Sequence, residues 1–186
     1  MIQETQTARE RLLAATVGYV AEHGVVDLSL RRLATAIGSS HRMLIYHFRS
    51  KEGLLVEVVR EAERRQRETL DSLLAGADGS LGDLIRQTWQ RLADPALWSH
   101  ERVFFELYGQ VLRGRAGNPE MLTGMVESWI DHTTKVIERA GVSPGFTRAQ
   151  ARLIVAVVLG LLLDLLATGD RPAADQALEC FIAQYP

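Results

Sequence analysis

The apolar residues of this 186-residue chain recur every three to four positions along most of its length, and no stretch alternates apolar and polar residues as a half-buried strand does. This spacing predicts a first helix over about Thr7–His23, a second over Leu30–Ile37 and a third over about Ser40–Tyr46. A long fourth helix begins at Lys51, where Ser50 supplies the cap. The predicted fold class is therefore all-α.

Glycine, proline and short polar runs divide the remainder of the chain into further helices. These helices are predicted over about Leu81–Leu92, Leu97–Arg113, Pro119–Ala140, Thr147–Thr168 and Ala173–Gln184. The second and third helices are short, whereas most of the later ones are long enough to build a larger bundle. We therefore expect residues 1–52 to form a three-helix unit and residues 53–186 to form a C-terminal helical bundle.

One segment of the chain carries an unbalanced positive charge. From Ser29 to Lys51 there are five cationic side chains and two histidines but no acid, although the whole chain has a net charge of −2. Without those five cations the chain holds 16 basic and 23 acidic residues, a balance of −7. Solvated charged faces usually mix both signs, so this segment predicts a local anion-binding face.

The same segment holds two short helices joined by a glycine turn at Gly38, directly after a packing helix. This arrangement predicts a helix-turn-helix unit, whose second helix enters the major groove of DNA. The expected buried residues of these helices are Leu12, Ala15, Tyr19 and Val20 in the first, Leu30, Leu33, Ala34 and Ile37 in the second, and Leu44 and Phe48 around the third. The residues between Leu44 and Phe48, and those before them, are then the face offered to DNA.

The run "YVAEHG…SLRRLATAIGSSHRMLIYHFRSKEGLL" resembles the DNA-binding region of TetR-type transcriptional repressors. Those proteins carry an Ala-x-x-Ala-Gly-Val-Ser turn, a Tyr-x-His-Phe ending of the recognition helix and a Ser/Asn-Lys start of the fourth helix. Two positions depart from the pattern. Ser39 stands where the family has valine, and Ile45 stands at the family's tyrosine position with Tyr46 one residue later, which rotates the ring by about 100° around the helix.

The resemblance and the side-chain chemistry together imply a set of DNA-binding residues. The expected phosphate ligands are Ser29, Tyr46, His47 and Lys51, the expected base readers are Ser40, His41 and Arg42, and Ile45 belongs to the same face. A bidentate contact from Arg42 to guanine is the strongest expectation. General attraction is assigned to Arg31, Arg32 and Arg49. The alternatives are that His47 is a satisfied, partly buried histidine and that Arg31 and Arg32 are simply solvated.

The helix "RLIVAVVLGLLLDLLA" is almost entirely apolar, but Asp164 interrupts it short of the ~20 residues that span a bilayer. With the final helix it is the expected dimer surface, and the resemblance implies a homodimer on a palindromic operator whose half-sites lie about 34–36 Å apart. The expected interface residues are Val157, Gly160, Leu161, Asp164, Leu165, Leu178 and Phe181. The alternative is that this helix belongs only to the core of one subunit.

The middle helices are rich in bulky side chains, for which the resemblance implies a pocket. The ligand is expected to be a small, largely apolar effector whose binding moves the DNA-binding units apart. The expected lining is Trp89, Phe104, Phe105, Tyr108, Met125, Trp129 and His132. Aromatic side chains at helical spacing are also typical of a plain core.

Other functional classes lack their motifs in this sequence. There is no His-x-x-x-His or Glu-x-x-His spacing, no glycine-rich phosphate loop and no cysteine pair, so no enzyme, cofactor or metal site is predicted. Acidic residues among the first cations argue against a secretory leader, and the single Cys180 fits a reducing cytoplasm. The predicted function is a sequence-specific DNA-binding regulator, a repressor by resemblance. The alternative is a helical interaction protein whose N-terminal helices bind a protein partner.

Overall fold

The structure is a computed structural model that describes residues 7–25, 28–74, 79–114, 119–141 and 145–185. Within these ranges the chain forms α-helices, one 3-10 turn at Pro95–Leu97 and no strand, which confirms the all-α prediction. The helices are α1 (Ala8–His23), α2 (Leu30–Ala36), α3 (His41–Phe48), α4 (Lys51–Leu74), α5 (Leu81–Leu92), α6 (Trp98–Leu112), α7 (Pro119–Ala140), α8 (Arg148–Thr168) and α9 (Arg171–Ile182).

Local capping chemistry explains most of the helix starts. Thr7 accepts a hydrogen bond from the Glu10 N–H at 3.2 Å, and the Glu10 carboxylate accepts one from the Thr7 N–H at 2.7 Å, which is a complete capping box. The Ser50 hydroxyl oxygen accepts from the Gly53 N–H at 2.9 Å, so Ser50 is the predicted cap of α4. Because capping depends on neighbours in sequence, the predicted boundaries lie within about two residues of the observed ones.

Three predicted boundaries are wrong by two residues, and one of them is the end of α9, which lies at Ile182 rather than Gln184. α3 continues to Phe48 rather than ending at Tyr46, since the Arg49 N–H still donates to the Ile45 carbonyl at 2.8 Å. α9 begins at Arg171 rather than Ala173, because the Asp170 carboxylate accepts from the Ala173 N–H at 3.0 Å.

The first of two compact units comprises residues 1–64 and 99–122, and therefore contains α1–α3, the first part of α4 and α6. Its core includes Val17, Val20, Leu33, Leu44 and Leu54, each at most 5% exposed. The two compact units do not coincide with the two domains predicted from the sequence, which divide at residue 52. The difference arises because α6 packs in the same unit as the helix-turn-helix.

The predicted buried stripe of α1 is wrong in register. The helix buries Leu13, Thr16, Val17 and Val20, whereas Ala15 is exposed and Leu12 and Tyr19 are half-buried. Thr16 is acceptable in the core because its hydroxyl donates to the Leu12 carbonyl at 2.7 Å. Both stripes have helical spacing, so only packing against the neighbouring helices selects one of them.

The second compact unit comprises residues 65–98 and 123–186, in which α5, α8 and α9 pack against one another. Leu165, Ala174, Leu178 and Trp89 are at most 2% exposed there. A neighbouring apolar cluster between α7 and α8 contains Ile130, Ala151 and Val155. The apolar helix α8 thus contributes one face to the core of its own subunit.

Candidate nucleic-acid interface

The turn between α2 and α3 is built around Gly38, which has a φ of +67°. The Ser39 N–H donates to the Ala34 carbonyl at 2.7 Å and the Gly38 N–H donates to the Thr35 carbonyl at 3.3 Å. These two bonds form the Schellman ending of a helix, and glycine adopts the required left-handed backbone without steric cost. The predicted glycine turn is therefore present, and it ends α2 immediately before α3.

α3 is anchored by one apolar face. Leu44 and Phe48 are 1% and 5% exposed, as predicted, and α3 packs against α2, whose Leu33 is fully buried. The other expected residues of α2, Leu30 and Ile37, are only half-buried. The Ser40 hydroxyl oxygen accepts from the Met43 N–H at 3.2 Å, so this predicted base reader is also the N-cap of α3 and has its hydroxyl hydrogen left to donate.

The opposite face of α3 lies at the surface of the described chain. His41, Arg42, Ile45 and Tyr46 are all exposed, as the sequence predicts. Met43 is exposed as well and was missed, although its place directly before the buried Leu44 puts it about 100° away from that side chain on the helix. The residues brought together on this face are thus cationic, aromatic and aliphatic.

The predicted DNA-binding residues outside α3 differ in accessibility. Ser29 is the exposed N-cap of α2 and makes no side-chain capping bond. Arg31 and Arg32 are exposed on α2. Lys51 is half-buried at the start of α4, and its charge acts on the carboxylate of Glu106 on α6. Burial raises the pKa of Glu106, while a hydrogen bond from the Val25 backbone, a second from Gln110 and the Lys51 charge lower it.

His47 is partly buried, as the alternative interpretation expects, but its ring is not fully satisfied by hydrogen bonds to the described residues. Its ring meets the Tyr46 ring edge-on, with the centroids 4.9 Å apart. Its Nε2 atom is shielded from solvent and has no hydrogen-bond partner within the described chain. Phosphate binding by that nitrogen therefore requires the ring to turn outward.

The corner between α3 and α4 is tight. Arg49, exposed at this corner, has φ +67° and ψ −45°, and the Ser50 N–H donates to the Phe48 carbonyl at 2.8 Å across it, which is the geometry of a γ-turn. A methyl group added to Gly53 would come within 2.4 Å of the same carbonyl oxygen. The Phe48 carbonyl is therefore enclosed on two sides, and this packing fixes the direction in which α4 leaves α3.

A cleft of about 630 Å³ lies beside this corner. Arg9 of α1 reaches into it, where its guanidinium forms an ion pair with the Glu57 carboxylate and lies 5.3 Å from the centroid of the Phe48 ring. Arg9 thus ties the first helix to both sides of the corner. Sequence reasoning missed this contact because 48 residues separate Arg9 from Glu57 and no local pattern connects them.

The residues expected at the dimer surface fall into two groups. Gly160 and Asp164 are exposed, and Val157 and Leu161 are half-buried. Leu165, Leu178 and Phe181 are only 0%, 2% and 8% exposed in the single chain, because the packing of α8 on α9 already covers them. The exposed leucines of α8 are instead Leu153 and Leu163, at 48% and 51%. By length and composition alone α8 is able to cross a membrane, although 28% of its most apolar 18-residue stretch is buried within the described chain.

The residues expected to line an effector pocket are divided between the two units. On α6, in the first unit, Phe104, Phe105 and Tyr108 are half-buried, and the Phe104 centroid lies 5.1 Å and 5.8 Å from those of the other two rings. Trp89, Met125, Trp129 and His132 belong to the second unit. Each group has helical spacing and forms ring contacts of its own.

Three members of the second group, Trp89, Trp129 and His132, have structural partners. Trp89 is 2% exposed, and its Nε1–H donates to the Asp175 carboxylate, which also accepts from Arg171. Trp129 packs against the cluster between α7 and α8. Burial lowers the pKa of the neighbouring His132, whereas Asp71, 3.8 Å from its Nδ1, raises it. These are the contacts of core residues. They fit the alternative that the sequence left open, in which the aromatic side chains form a plain core.

Residues 12–58 match the model of a protein family described as "Bacterial regulatory proteins, tetR family". Over almost the entire chain the fold resembles that of a TetR transcriptional regulator from Legionella pneumophila, with 21% identity, 98% of each chain covered and a TM-score of 0.68. A transcriptional regulator from Rhodococcus sp. Rha1 is 21% identical over 96% of each chain, with a TM-score of 0.71.

A third solved structure is that of the multidrug binding protein EbrR complexed with imidazole. It is 23% identical, the alignment covers 96% of this chain and 89% of that one, and the TM-score is 0.68. At these identities the likeness shows the fold alone. No curated protein matches the chain.

Proposed function

We propose that the chain is a DNA-binding transcriptional regulator of the TetR family, which represses transcription as a homodimer on a palindromic operator and is released by a small, largely apolar effector. Regulators of this family are not enzymes. The proposal includes the base and phosphate contacts assigned to α2, α3 and the start of α4.

The observation that carries the proposal is the exposed outer face of α3, whose opposite face is fixed to the core by the buried Leu44 and Phe48. Arg42 lies in the first turn of α3, and the N-terminal residues of a recognition helix are those that contact base edges. Its guanidinium matches the N7 and O6 acceptors of guanine. The segment from Ser29 to Lys51 carries five cations and no acid, which suits a ligand with a phosphate backbone.

The proposal of a homodimer is supported by the outer face of α8. Leu153, Gly160 and Leu163 are exposed there at helical spacing, and Ala177 and Cys180 are exposed on the neighbouring helix α9. A surface of this kind is unfavourable in water unless another chain covers it. Leu165, Leu178 and Phe181 lie beneath this face, so their proposed contribution to the dimer is to hold α8 and α9 together.

A membrane is the other apolar environment that could cover α8. The exposed Asp164 lies in the middle of its outer face, where a charge within the bilayer core costs about 2.5–3.5 kcal/mol. An interface with a second copy of the chain can provide such a carboxylate with water or a polar partner, which the bilayer core cannot. The charge therefore favours the dimer.

The proposed effector is supported by the aromatic cluster of α6. Phe104, Phe105 and Tyr108 are half-buried, and Phe104 contacts both other rings, which provides apolar surface without complete burial. EbrR, which shares the fold, is described as a multidrug binding protein and was solved with imidazole. An effector that prefers the DNA-incompetent state must lower operator affinity, and by linkage DNA must weaken effector binding by the same factor.

Selection of bound duplexes from a random pool with the purified protein tests this function. We expect a palindrome whose half-sites are centred one helical turn, about 34–36 Å, apart. Arg42→Ala should cost about 1–3 kcal/mol of binding free energy and relax specificity at one base pair. Lys51→Ala should weaken binding to all duplexes alike and reduce the slope of log affinity against log salt by about 0.9.

Arg113→Ala is the matched control, because Arg113 is exposed on the same unit but lies outside the proposed interface. If the Arg42 and Lys51 variants bind duplexes as the Arg113 variant does, the assigned contacts are wrong. Association that selects no duplex and is insensitive to salt would instead favour the protein-partner alternative.

A further inference from the structure

The exposed apolar side chains of the described chain are concentrated on one short helix. Six large hydrophobic side chains are exposed, and three of them, Met43, Ile45 and Tyr46, lie within the eight residues of α3. Of the remaining three, Leu153 and Leu163 lie on the face that the proposed dimer covers. The apolar surface of α3 therefore also calls for a partner that covers it.

The two aliphatic side chains lie on either side of the proposed guanine reader. Successive residues of an α-helix are about 100° apart, so Ile45 lies about 60° from Arg42 in one direction and Met43 about 100° from it in the other. Their exposed fractions are 37% and 38%. If Arg42 meets a base edge, both aliphatic side chains meet the base pairs beside it.

Base edges in the major groove offer one apolar group. Guanine, adenine and cytosine present hydrogen-bond donors and acceptors there, whereas thymine adds the methyl group on C5. Methionine and isoleucine side chains cannot form the hydrogen bonds that the other base edges require. Facing those edges, they would leave polar groups desolvated and unpaired, whereas a thymine methyl gives them an apolar contact.

We propose that Met43 and Ile45 are specificity-determining residues that recognise thymine through its 5-methyl group. Each half-site then carries thymine on one or both sides of the guanine that Arg42 contacts. This inference rests on the proposed function and adds the class of base that this face selects.

The charge around the two side chains favours DNA over a protein as the partner. Arg42 is exposed on the same helix and Arg49 is exposed at its C-terminal end, and no acidic residue occurs between Ser29 and Lys51. An apolar docking site for a protein helix does not need this unbalanced positive charge, whereas a groove flanked by phosphates does.

Replacement of thymine by deoxyuridine in the selected operator, one position at a time, tests the proposal because it removes only the methyl group. At the contacted positions the wild-type affinity should fall about fourfold, the effect of losing one buried methyl group. Ile45→Ala and Met43→Ala should each abolish the difference between thymine and uracil at one position while keeping the difference at the other. Ile45→Val should retain part of the discrimination.

Equal affinity for thymine and deoxyuridine at every position of a bound palindrome overturns this inference and leaves the proposed function intact. Failure to select any duplex overturns both. The base substitution requires no protein variant, so misfolding cannot obscure its result, and the thermal unfolding of the alanine variants checks that each is folded. Discrimination that persists unchanged in both alanine variants also overturns the assignment.

Discussion

The carboxylate of Glu106, on α6, accepts a hydrogen bond from the backbone N–H of Val25, in the segment between α1 and α2. A second bond comes from Gln110, whose Nε2 lies 3.3 Å from the Glu106 Oε1, and the charge of Lys51 acts on the same group. Through Glu106, α6 therefore interacts with both the segment that leads into α2 and the N-terminal end of α4. Because α6 also carries Phe104 and Tyr108, an effector bound at those rings would act directly on the unit that we propose binds DNA.

Glu106→Ala should lower the free energy of unfolding by about 1–3 kcal/mol, because it leaves the N–H of the buried Val25 without an acceptor. It should also weaken operator binding, since the segment leading into α2 loses its support. Glu106→Gln is the control, because its side-chain carbonyl can accept the same hydrogen bond. Urea unfolding and operator titration of both variants measure the two effects, and equal losses in both would exclude the hydrogen bond as the cause.

The pH dependence of stability should also depend on Glu106. Burial raises the pKa of its carboxyl, so the folded state binds this proton more tightly than the unfolded state does. The corresponding stability is fully present below the unfolded-state pKa and is lost as the pH rises through the raised pKa of the folded state. As the pH rises above the ordinary glutamate pKa of about 4.3, the unfolding free energy of Glu106→Gln should lack this decline, and identical pH profiles would contradict the prediction.

Replacement of Arg49 by glycine should relieve backbone strain at the corner between α3 and α4. A non-glycine residue held at φ +67° in a γ-turn costs about 1 kcal/mol or more. Arg49→Gly should therefore unfold at higher urea concentration than Arg49→Ala, which removes the same charge and keeps the strain. Both variants should lose the same general attraction for DNA, so a stability difference without an affinity difference is the expected result.

Leu163→Asp should convert the proposed dimer to a monomer, because it places a charge on the exposed apolar face of α8. Sedimentation measures the mass directly, and affinity for the complete palindrome should fall with it. Leu112→Asp is the matched control, since Leu112 is 68% exposed on α6 and lies outside the proposed interface. A Leu163→Asp protein that remains dimeric would place the interface elsewhere.

What the sequence determined by itself was the local structure. Capping residues such as Thr7 and Ser50, the glycine at position 38 and the spacing of Leu44 and Phe48 act over a few residues, so they fixed the helix boundaries to within about two residues and identified the outer face of α3. The likeness of this segment to a known family then extended the prediction from structure to DNA binding.

Only the tertiary structure decided which of two equally periodic stripes is buried. The core side of α1 contains Thr16 rather than Ala15, and α8 turns Leu165 inward and Leu163 outward. The contacts of Arg9 with Glu57 and of Glu106 with Val25 likewise join residues that are far apart in the chain. Helical spacing shows that a face is apolar, but which neighbour covers it depends on the packing of the other helices, and no local pattern contains that information.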